Sequence, residues 1–429
     1  MAKKARTRTQ TTQKLRRNSA RIQRCASPNT TWLVTVSGHD VPGITAEVTG
    51  ILARHNVVVL DLAQAVIQKL LSLSFLFQTS PTRHDEDQIF QEILERGSEL
   101  GLKIDFKKIP VGAANTKVEK AVQHYAVTLI AEIVTAQSLH QVTQVLARRK
   151  LNIDVIKKLS EDHFGCLEIL VSSAQGVDET SLRKELLEIA KSQCVDIALQ
   201  AEGLYRRAKR LVVLDMDSTL IQGEVIDELA RERGVFDQVA AITLRAMQGE
   251  MEFDESLRQR CLLLKGLKAE DLIRVYEKIE VTPGAQDLIR VLKRLGYKIA
   301  LISGGFTFVA ERLKERLGID FVYANTLEVK NQTVTGRVLP PIVNAQRKAD
   351  LLEVIAQQEK IVLDQVIAIG DGANDLLMLE KAGLGIAFNA KPVVRERADL
   401  AFSQKNMRSI LYLLGLSARD VAQVVQENA

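Results

Sequence analysis

The chain is 429 residues long, 46 % apolar and 26 % charged. That allows roughly three globular domains and excludes a fibrous or wholly disordered protein. The formal net charge of +5 is uneven: nine Lys or Arg and no acid fall in the first 28 residues, which leaves a net −4 for the rest.

Residues 1–29 hold this basic excess, are polar and lack periodicity, so they read as a disordered, solubilising extension. No nucleic-acid partner is expected from them. The longest apolar-looking run, residues 57–77, is interrupted by Asp61, Gln64, Gln68 and Lys69. An ordinary transmembrane helix is excluded there, and no membrane partner is expected. The four cysteines, Cys25, Cys166, Cys194 and Cys261, are far apart, without metal-ligand spacing or a secretory signal. A reducing, cytoplasmic setting is expected.

Residues 32–204 contain a repeat. WLVTVSG (32–38) reads as a strand, and residues 41–56 have a helical period, with Ile44, Val48, Ile51 and Leu52 on one stripe. Two strands follow, VVVLDLAQAVI and LSLSFLFQT, then the amphipathic helix DEDQIFQEILERGSELG and a closing strand, KIDFKKI. The same βαββαβ order returns from YAVTLIAE (125–132) to VDIALQAEG. Two α+β modules of the split βαβ type are expected, over residues 30–118 and 119–204. These modules resemble ACT domains, and on that resemblance the first keeps the turn SGHDVPGIT, in which Gly43, close to Asp40, would let the backbone approach a ligand. The second has AEIVTAQSL in that place, without glycine, so its expected role is packing or dimerisation.

From Leu211 the pattern changes. Short apolar strands, LVVLDMD, YKIALIS, FVYAN, VIAIGDG and LGIAFNA, alternate with helices. The expected fold of residues 205–429 is a Rossmann-like parallel sheet with helices on both faces. Residues 224–276 are almost wholly helical in pattern, too long for a simple crossover. They are expected to form a helical cap, extending to about residue 280, over the strand tips where open parallel sheets bind ligands.

All six histidines lie at or before His163, so imidazole is neither base nor metal ligand in the C-terminal half. Ser-His-Asp hydrolysis, histidine phosphatases and His-ligated zinc are excluded there. Three strands instead end in polar clusters: DMDST, SGG and GDGAND. Any one alone would read as a helix cap or a turn. Three at the strand ends of one sheet point to one crevice. Asp215, Asp217, Asp371 and Asp375 would crowd carboxylates together, a conflict that a hard divalent cation resolves. Oxygen ligands without His or Cys favour Mg2+, which keeps waters and pairs with a phosphate. Ser303, Gly304 and Gly305 open a helix and offer a hydroxyl and backbone N–H groups to an anion. Lys348 can supply a fixed positive charge. An aspartate is ionised at neutral pH without a base to activate it, and could attack a phosphoryl group. A second one, its proton affinity raised by crowding, could move the proton.

DMDST matches the DxDx[TV] signature of the haloacid dehalogenase-like phosphohydrolases, Ser303 and Lys348 their second and third motifs, and GDGAND the fourth. More narrowly, LDMDSTLIQGEVIDELA, FDESLRQR, VTPGA, LISGGF and IGDGANDLLML resemble the phosphoserine phosphatases of that family, over the C-terminal 220 residues. The resemblance implies Asp215 as nucleophile and Asp217 as general acid/base. It implies magnesium held by Asp215, the Asp217 main-chain carbonyl and Asp371, and phosphate gripped by Ser303, Gly304 and Lys348, with Asn374 nearby. Glu224 would receive the substrate ammonium and Arg260 its carboxylate; without the match both read as solvated helix residues. Phe253 and Met247 would shield the closed site, although core packing explains them equally well. The implied activity is magnesium-dependent hydrolysis of O-phospho-L-serine through an aspartyl-phosphate. The alternatives are a related phosphomonoesterase or phosphotransferase acting on a relative such as phosphohomoserine, and a non-enzymatic amino-acid sensor. The N-terminal modules resemble ACT domains, which implies an amino-acid effector, with Asp40 and Gly43 at its site, and a homodimer.

Overall fold

The computed structural model describes residues 30–79, 83–110, 122–160 and 165–426. The expected disordered extension, residues 1–29, lies outside them. The chain divides into two compact units, residues 1–119 and 120–429.

The first unit runs β1 (Thr30–His39), α1 (Ile44–Arg54), β2 (Val58–Ile67), β3 (Leu70–Thr79), α2 (Arg83–Glu99) and β4 (Lys103–Ile109). Its antiparallel sheet has the order β2-β3-β1-β4. Alternation along β1 and β3 sends Val34, Val36, Phe75 and Phe77 under the helices, against Ile51, Leu52, Ile89 and Ile93. The intervening residues include a polar set, beside the apolar pair Leu33 and Leu76. Thr35 pairs with Ser74 and Ser37 with Ser72, and the Thr35 and Ser74 hydroxyls lie 3.3 Å apart. Helix α1 starts at Gly43, whose φ of 105° suits glycine and strains other residues. Asp40 is exposed in the same turn, with its N–H donating to the Lys69 carbonyl at 2.8 Å.

The second unit opens with the other copy: β5 (Gln123–Ala131), α3 (Ala136–Arg148), β6 (Asn152–Lys158), β7 (Gly165–Ser173), α4 (Glu179–Gln193) and β8 (Asp196–Ala201), sheet order β6-β7-β5-β8. In place of the glycine turn, Thr135 caps α3 by accepting from the Ser138 N–H at 3.1 Å. Here β5 is apolar on both faces. Tyr125, Val127 and Leu129 pack under the helices. On the other face Ile130, together with Cys166 and Ala198, joins the core of the domain that follows. Asp196 secures that joint by accepting from the Ser403 N–H at 2.9 Å and its hydroxyl at 2.6 Å. Of the roles expected for this module, packing is the one seen.

That domain continues with β9 (Leu211–Leu214), α5 (Val225–Arg233), α6 (Phe236–Met247), α7 (Phe253–Leu263), α8 (Ala269–Lys278), α9 (Ala285–Arg294), β10 (Lys298–Phe306), α10 (Thr307–Leu317), β11 (Phe321–Lys330) and β12 (Thr333–Leu339). It ends with α11 (Ala345–Gln358), β13 (Val366–Gly370), α12 (Leu376–Lys381), β14 (Leu384–Phe388), α13 (Pro392–Arg397), β15 (Leu400–Phe402), α14 (Ile410–Leu413) and α15 (Ala418–Gln426). The seven strands are ordered β12-β11-β10-β9-β13-β14-β15. All pair in parallel except β12, a short antiparallel edge on β11 that strand reading had missed. β9 is central and fully buried, as expected of a strand covered on both faces. Helices α5–α8 form the long insertion between β9 and β10. No helix among the described residues is long and apolar enough to cross a membrane.

Candidate active site

Asp215 leaves the end of β9, with its N–H donating to the Ile369 carbonyl of β13 at 2.9 Å. The chain then turns through residues 216–220, with Ser218 at a φ of 55°. This turn sends the two carboxylates apart. Asp215 faces Lys348, whose Nζ lies 2.8 Å from its Oδ1 and 2.7 Å from Asp375 Oδ1. The first contact is ionic without hydrogen-bond geometry, so Asp215 Oδ1 is a buried oxygen without a hydrogen-bond partner. Asp217 faces the insertion instead. Its Oδ1 accepts the Val225 N–H at 2.9 Å, at the first turn of α5, and its Oδ2 accepts the Ser303 hydroxyl at 3.4 Å.

The strand ends to either side complete the site. After β13, Asp371 Oδ1 accepts the Thr219 hydroxyl at 3.1 Å, and Asp375 Oδ2 accepts the Gly372 N–H at 2.9 Å. In β10, Ser303 Oγ accepts the Gly305 N–H at 2.9 Å. Gly305 lies close against the site: a Cβ there would collide with Asp217 Oδ2 and reach 2.5 Å from Met216 Cε, so these side-chain ends would have to shift.

These groups surround a cavity of about 510 Å³. Asp215, Asp217, Glu224, Arg260, Gly304, Asp371 and Asn374 all line it. Ser303 and Lys348 are fully buried behind its wall and act through the carboxylates they touch. Glu224 accepts the Ser218 hydroxyl at 3.2 Å, and Arg260 Nε donates to the Ser256 carbonyl at 3.3 Å. No ion pair joins Glu224 to Arg260 among the described residues, so one acid and one base face the same cavity unjoined. Phe253 and Met247 line it too, as do Asp227, Thr243 and Lys391, which sequence reading had missed. Asp227 and Thr243 are ordinary helix residues in sequence. Lys391 had a signal, since it follows β14 at the same carboxyl edge of the sheet.

The electrostatics are lopsided. Burial, then Glu224, pushes Asp217 up to about 8. Burial, then Asp375 and Glu224, pushes Asp371 up to about 7. Asp215 is raised well above the usual carboxylate range by burial and Asp375, against the pull of Lys348. Burial would lower the proton affinity of Lys348, but Asp215 and Asp375 outweigh it and keep the ammonium charged. Burial and Asp227 raise Glu224. One lysine does not neutralise this many acids. Oxygens of Asp215, Asp371 and Asp375 lie within 4.8 Å of one another. The cluster fits a hard divalent cation, because its donors are oxygen only and carry more negative charge than Lys348 offsets. The Asp217 carboxylate lies outside it.

A central strand ending in Asp215, a buried lysine, an acidic cluster and a helical insertion at one sheet edge are the features of a hydrolase of the haloacid dehalogenase type. The haloacid dehalogenase-like hydrolase family matches residues 209–383, and two ACT domain families match residues 30–107 and 123–200. A phosphoserine phosphatase of Streptomyces coelicolor is 42 % identical over 391 residues, covering 91 % of this chain and 93 % of the relative. One of Mycobacterium tuberculosis is 38 % identical, covering 91 % and 94 %. A crystal structure of a haloacid dehalogenase family hydrolase from Salmonella enterica serovar Typhi superposes with a TM-score of 0.61 at 31 % identity, over 68 % of this chain and 98 % of that one. The chain belongs to the phosphoserine phosphatase family.

The space at Gly305 is directly testable. Gly305→Ala should cost about 1–3 kcal/mol of stability through overpacking and lower kcat about a hundredfold by displacing Asp217. Urea unfolding and steady-state phosphate release measure the two. An unchanged kcat would show that Asp217 does not depend on this close approach.

Proposed function

We propose that this enzyme hydrolyses O-phospho-L-serine to L-serine and phosphate. The observation that carries the reading is the pairing, in one cavity, of the carboxylate site with Glu224 and Arg260. An amino-acid zwitterion needs one acid for its ammonium and one base for its carboxylate, and Arg can hold the carboxylate through two bonds.

Asp215 attacks phosphorus while the seryl oxygen leaves, giving an aspartyl-phosphate. Asp217, protonated at neutral pH by its raised pKa of about 8, gives its proton to the leaving alkoxide. It then takes one from the water that cleaves the acyl-phosphate. Lys348 favours the ionised form of Asp215 against burial and Asp375, which raise its proton affinity; Gly304 and Asn374, on the cavity wall, receive the phosphoryl oxygens, while buried Ser303 and Lys348 take part through Asp217 and Asp215. Asp375 positions Lys348. Magnesium would be held by Asp215, Asp371 and the Asp217 main-chain carbonyl, where it would neutralise phosphoryl charge. Residues 205–429 form the catalytic domain, with the cap at about 224–280 closing over the substrate. Residues 30–118 and 119–204 are the two ACT domains.

A homodimer in the cytoplasm and an amino-acid effector at the Asp40–Gly43 turn complete the proposal. The dimer is supported by β2, an edge strand whose Val58, Leu62, Val66 and Ile67 are all exposed. Such an edge is a template for strand pairing.

Asp215→Asn should abolish turnover and covalent labelling by phosphoserine phosphorylated with ³²P; label on the variant would remove Asp215 as nucleophile. Glu224→Gln and Arg260→Met should each raise KM for phosphoserine roughly tenfold or more, as expected for lost charged hydrogen bonds. Hydrolysis of p-nitrophenyl phosphate should be spared. A higher kcat/KM with phosphohomoserine would reassign the substrate. For the dimer, Leu62→Lys with Val66→Lys should yield monomers by light scattering; an unchanged mass would place the interface elsewhere.

A further inference from the structure

Helix α7 carries Arg260, so the placement of that helix decides where the guanidinium stands. Arg260 has no ion pair among the described residues and donates only to the Ser256 carbonyl of its own helix, at 3.3 Å. The C-terminal end of α7 is fixed by backbone. The Gly266 N–H donates to the Val334 carbonyl at 2.9 Å, and the Val334 N–H to the Leu267 carbonyl at 2.8 Å, so the turn after the helix pairs with edge strand β12. A Cβ on Gly336 would stand 3.1 Å from Leu262 Cα, so this hairpin lies directly against the helix.

The N-terminal end is held differently. Asn344 Nδ2 donates to Asp254 Oδ1, in the first turn of α7, at 3.1 Å. Among the described residues, α6 and α7 make one other hydrogen-bonding contact outside the insertion, Lys391 Nζ on Met247 Sδ at 3.9 Å, and a thioether is a weak acceptor. An acid in a first turn also suits the helix dipole. Glu255 already supplies one there while it accepts from Gln259 at 2.8 Å, so the dipole alone does not require Asp254 to meet Asn344.

Asn344 serves a second element. Its Oδ1 accepts the Arg347 N–H at 3.0 Å, capping α11, and its carbonyl accepts the Lys348 N–H at 2.9 Å. Lys348 in turn faces Asp215 and Asp375. One side chain thus joins the helix of Arg260 to the helix of Lys348, by a hydrogen bond onto a carboxylate, the stronger kind. The bond lies at the edge of the cavity, where the neighbouring Phe253 and Ala345 line the wall. Phe253 Cζ lies 3.2 Å from where a Cβ on Gly304 would stand.

We propose that Asp254 and Asn344 are positioning residues that hold Arg260 at a fixed distance from the phosphoryl site, and so set the affinity for a substrate with both a phosphate and a carboxylate. The inference rests on the reading of Arg260 given above.

The experiment is steady-state phosphate release by full-length variants. Asn344→Asp keeps the cap on α11, because Asp and Asn cap helices about equally well, but sets two carboxylates against each other. KM for phosphoserine should rise roughly tenfold, the scale of a lost hydrogen bond to a charged group, with kcat little changed. Hydrolysis of p-nitrophenyl phosphate, which has no carboxylate, and the melting temperature should stay as in the parent. Adding Asp254→Asn exchanges donor and acceptor and should return KM to near the parent value. In a chain carrying Arg260→Met, Asn344→Asp should add nothing further, because both act on one interaction. Should Asn344→Asp fold poorly, Asp254→Ala breaks the bond from the other helix and should give the same rise. An unchanged KM, a rise that the exchange does not reverse, or one that persists on top of Arg260→Met overturns the proposal. Arg260→Met that by itself leaves KM unchanged would instead strike the reading of Arg260, and the proposal with it, so the two failures are told apart.

Discussion

The structure depends on how carboxylates are kept together at the carboxyl edge of one parallel sheet. Asp215, Asp217, Asp371 and Asp375 converge there with a single buried cation, Lys348, among them. Like charges at such range resist ionisation, and the raised proton affinities of Asp215, Asp217 and Asp371 are that resistance. A turn just after β9 divides the pair, giving Asp215 to the lysine and Asp217 to the insertion. Two residues of one type, two positions apart, thereby receive different surroundings and different chemistry.

Asp217 also ties the site to its cover. It accepts the first N–H of α5, while Glu224, immediately before that helix, accepts the Ser218 hydroxyl. The helical insertion thus begins on Asp217 itself. In the proposed reaction a movement of the cap would be felt at Asp217, and Glu224 would move with the same helix start.

The two ACT domains share an element order and differ in what their helix-free faces meet. In the first, Thr35, Ser37, Ser72 and Ser74 make that face polar. In the second, Ile130, Cys166 and Ala198 make it part of the catalytic core. The sequence held a sign of this. β5 is apolar at Ala126, Val127, Leu129 and Ile130, interrupted only by Thr128, whereas β1 is closer to alternation, and a strand apolar on both sides is buried on both. The second module's loss of the glycine turn pointed the same way.

The sequence by itself determined most of the elements and the candidate site groups. Periods of two and of 3.6 residues mark strands and helices locally, and polar clusters after apolar strands mark Asp215, Ser303 and Asp371. The absence of histidine beyond His163 excluded imidazole as base or metal ligand there. Tertiary structure alone decided which atoms each group faces. It turned Asp217 toward α5, set Asp375 on Lys348, brought Asp227, Thr243 and Lys391 to the cavity wall, and joined Asp254 to Asn344. These are contacts between residues far apart in the chain, and composition and spacing carry no record of them. Burial and Coulomb energy depend on distance in space, and only the folded chain sets that distance.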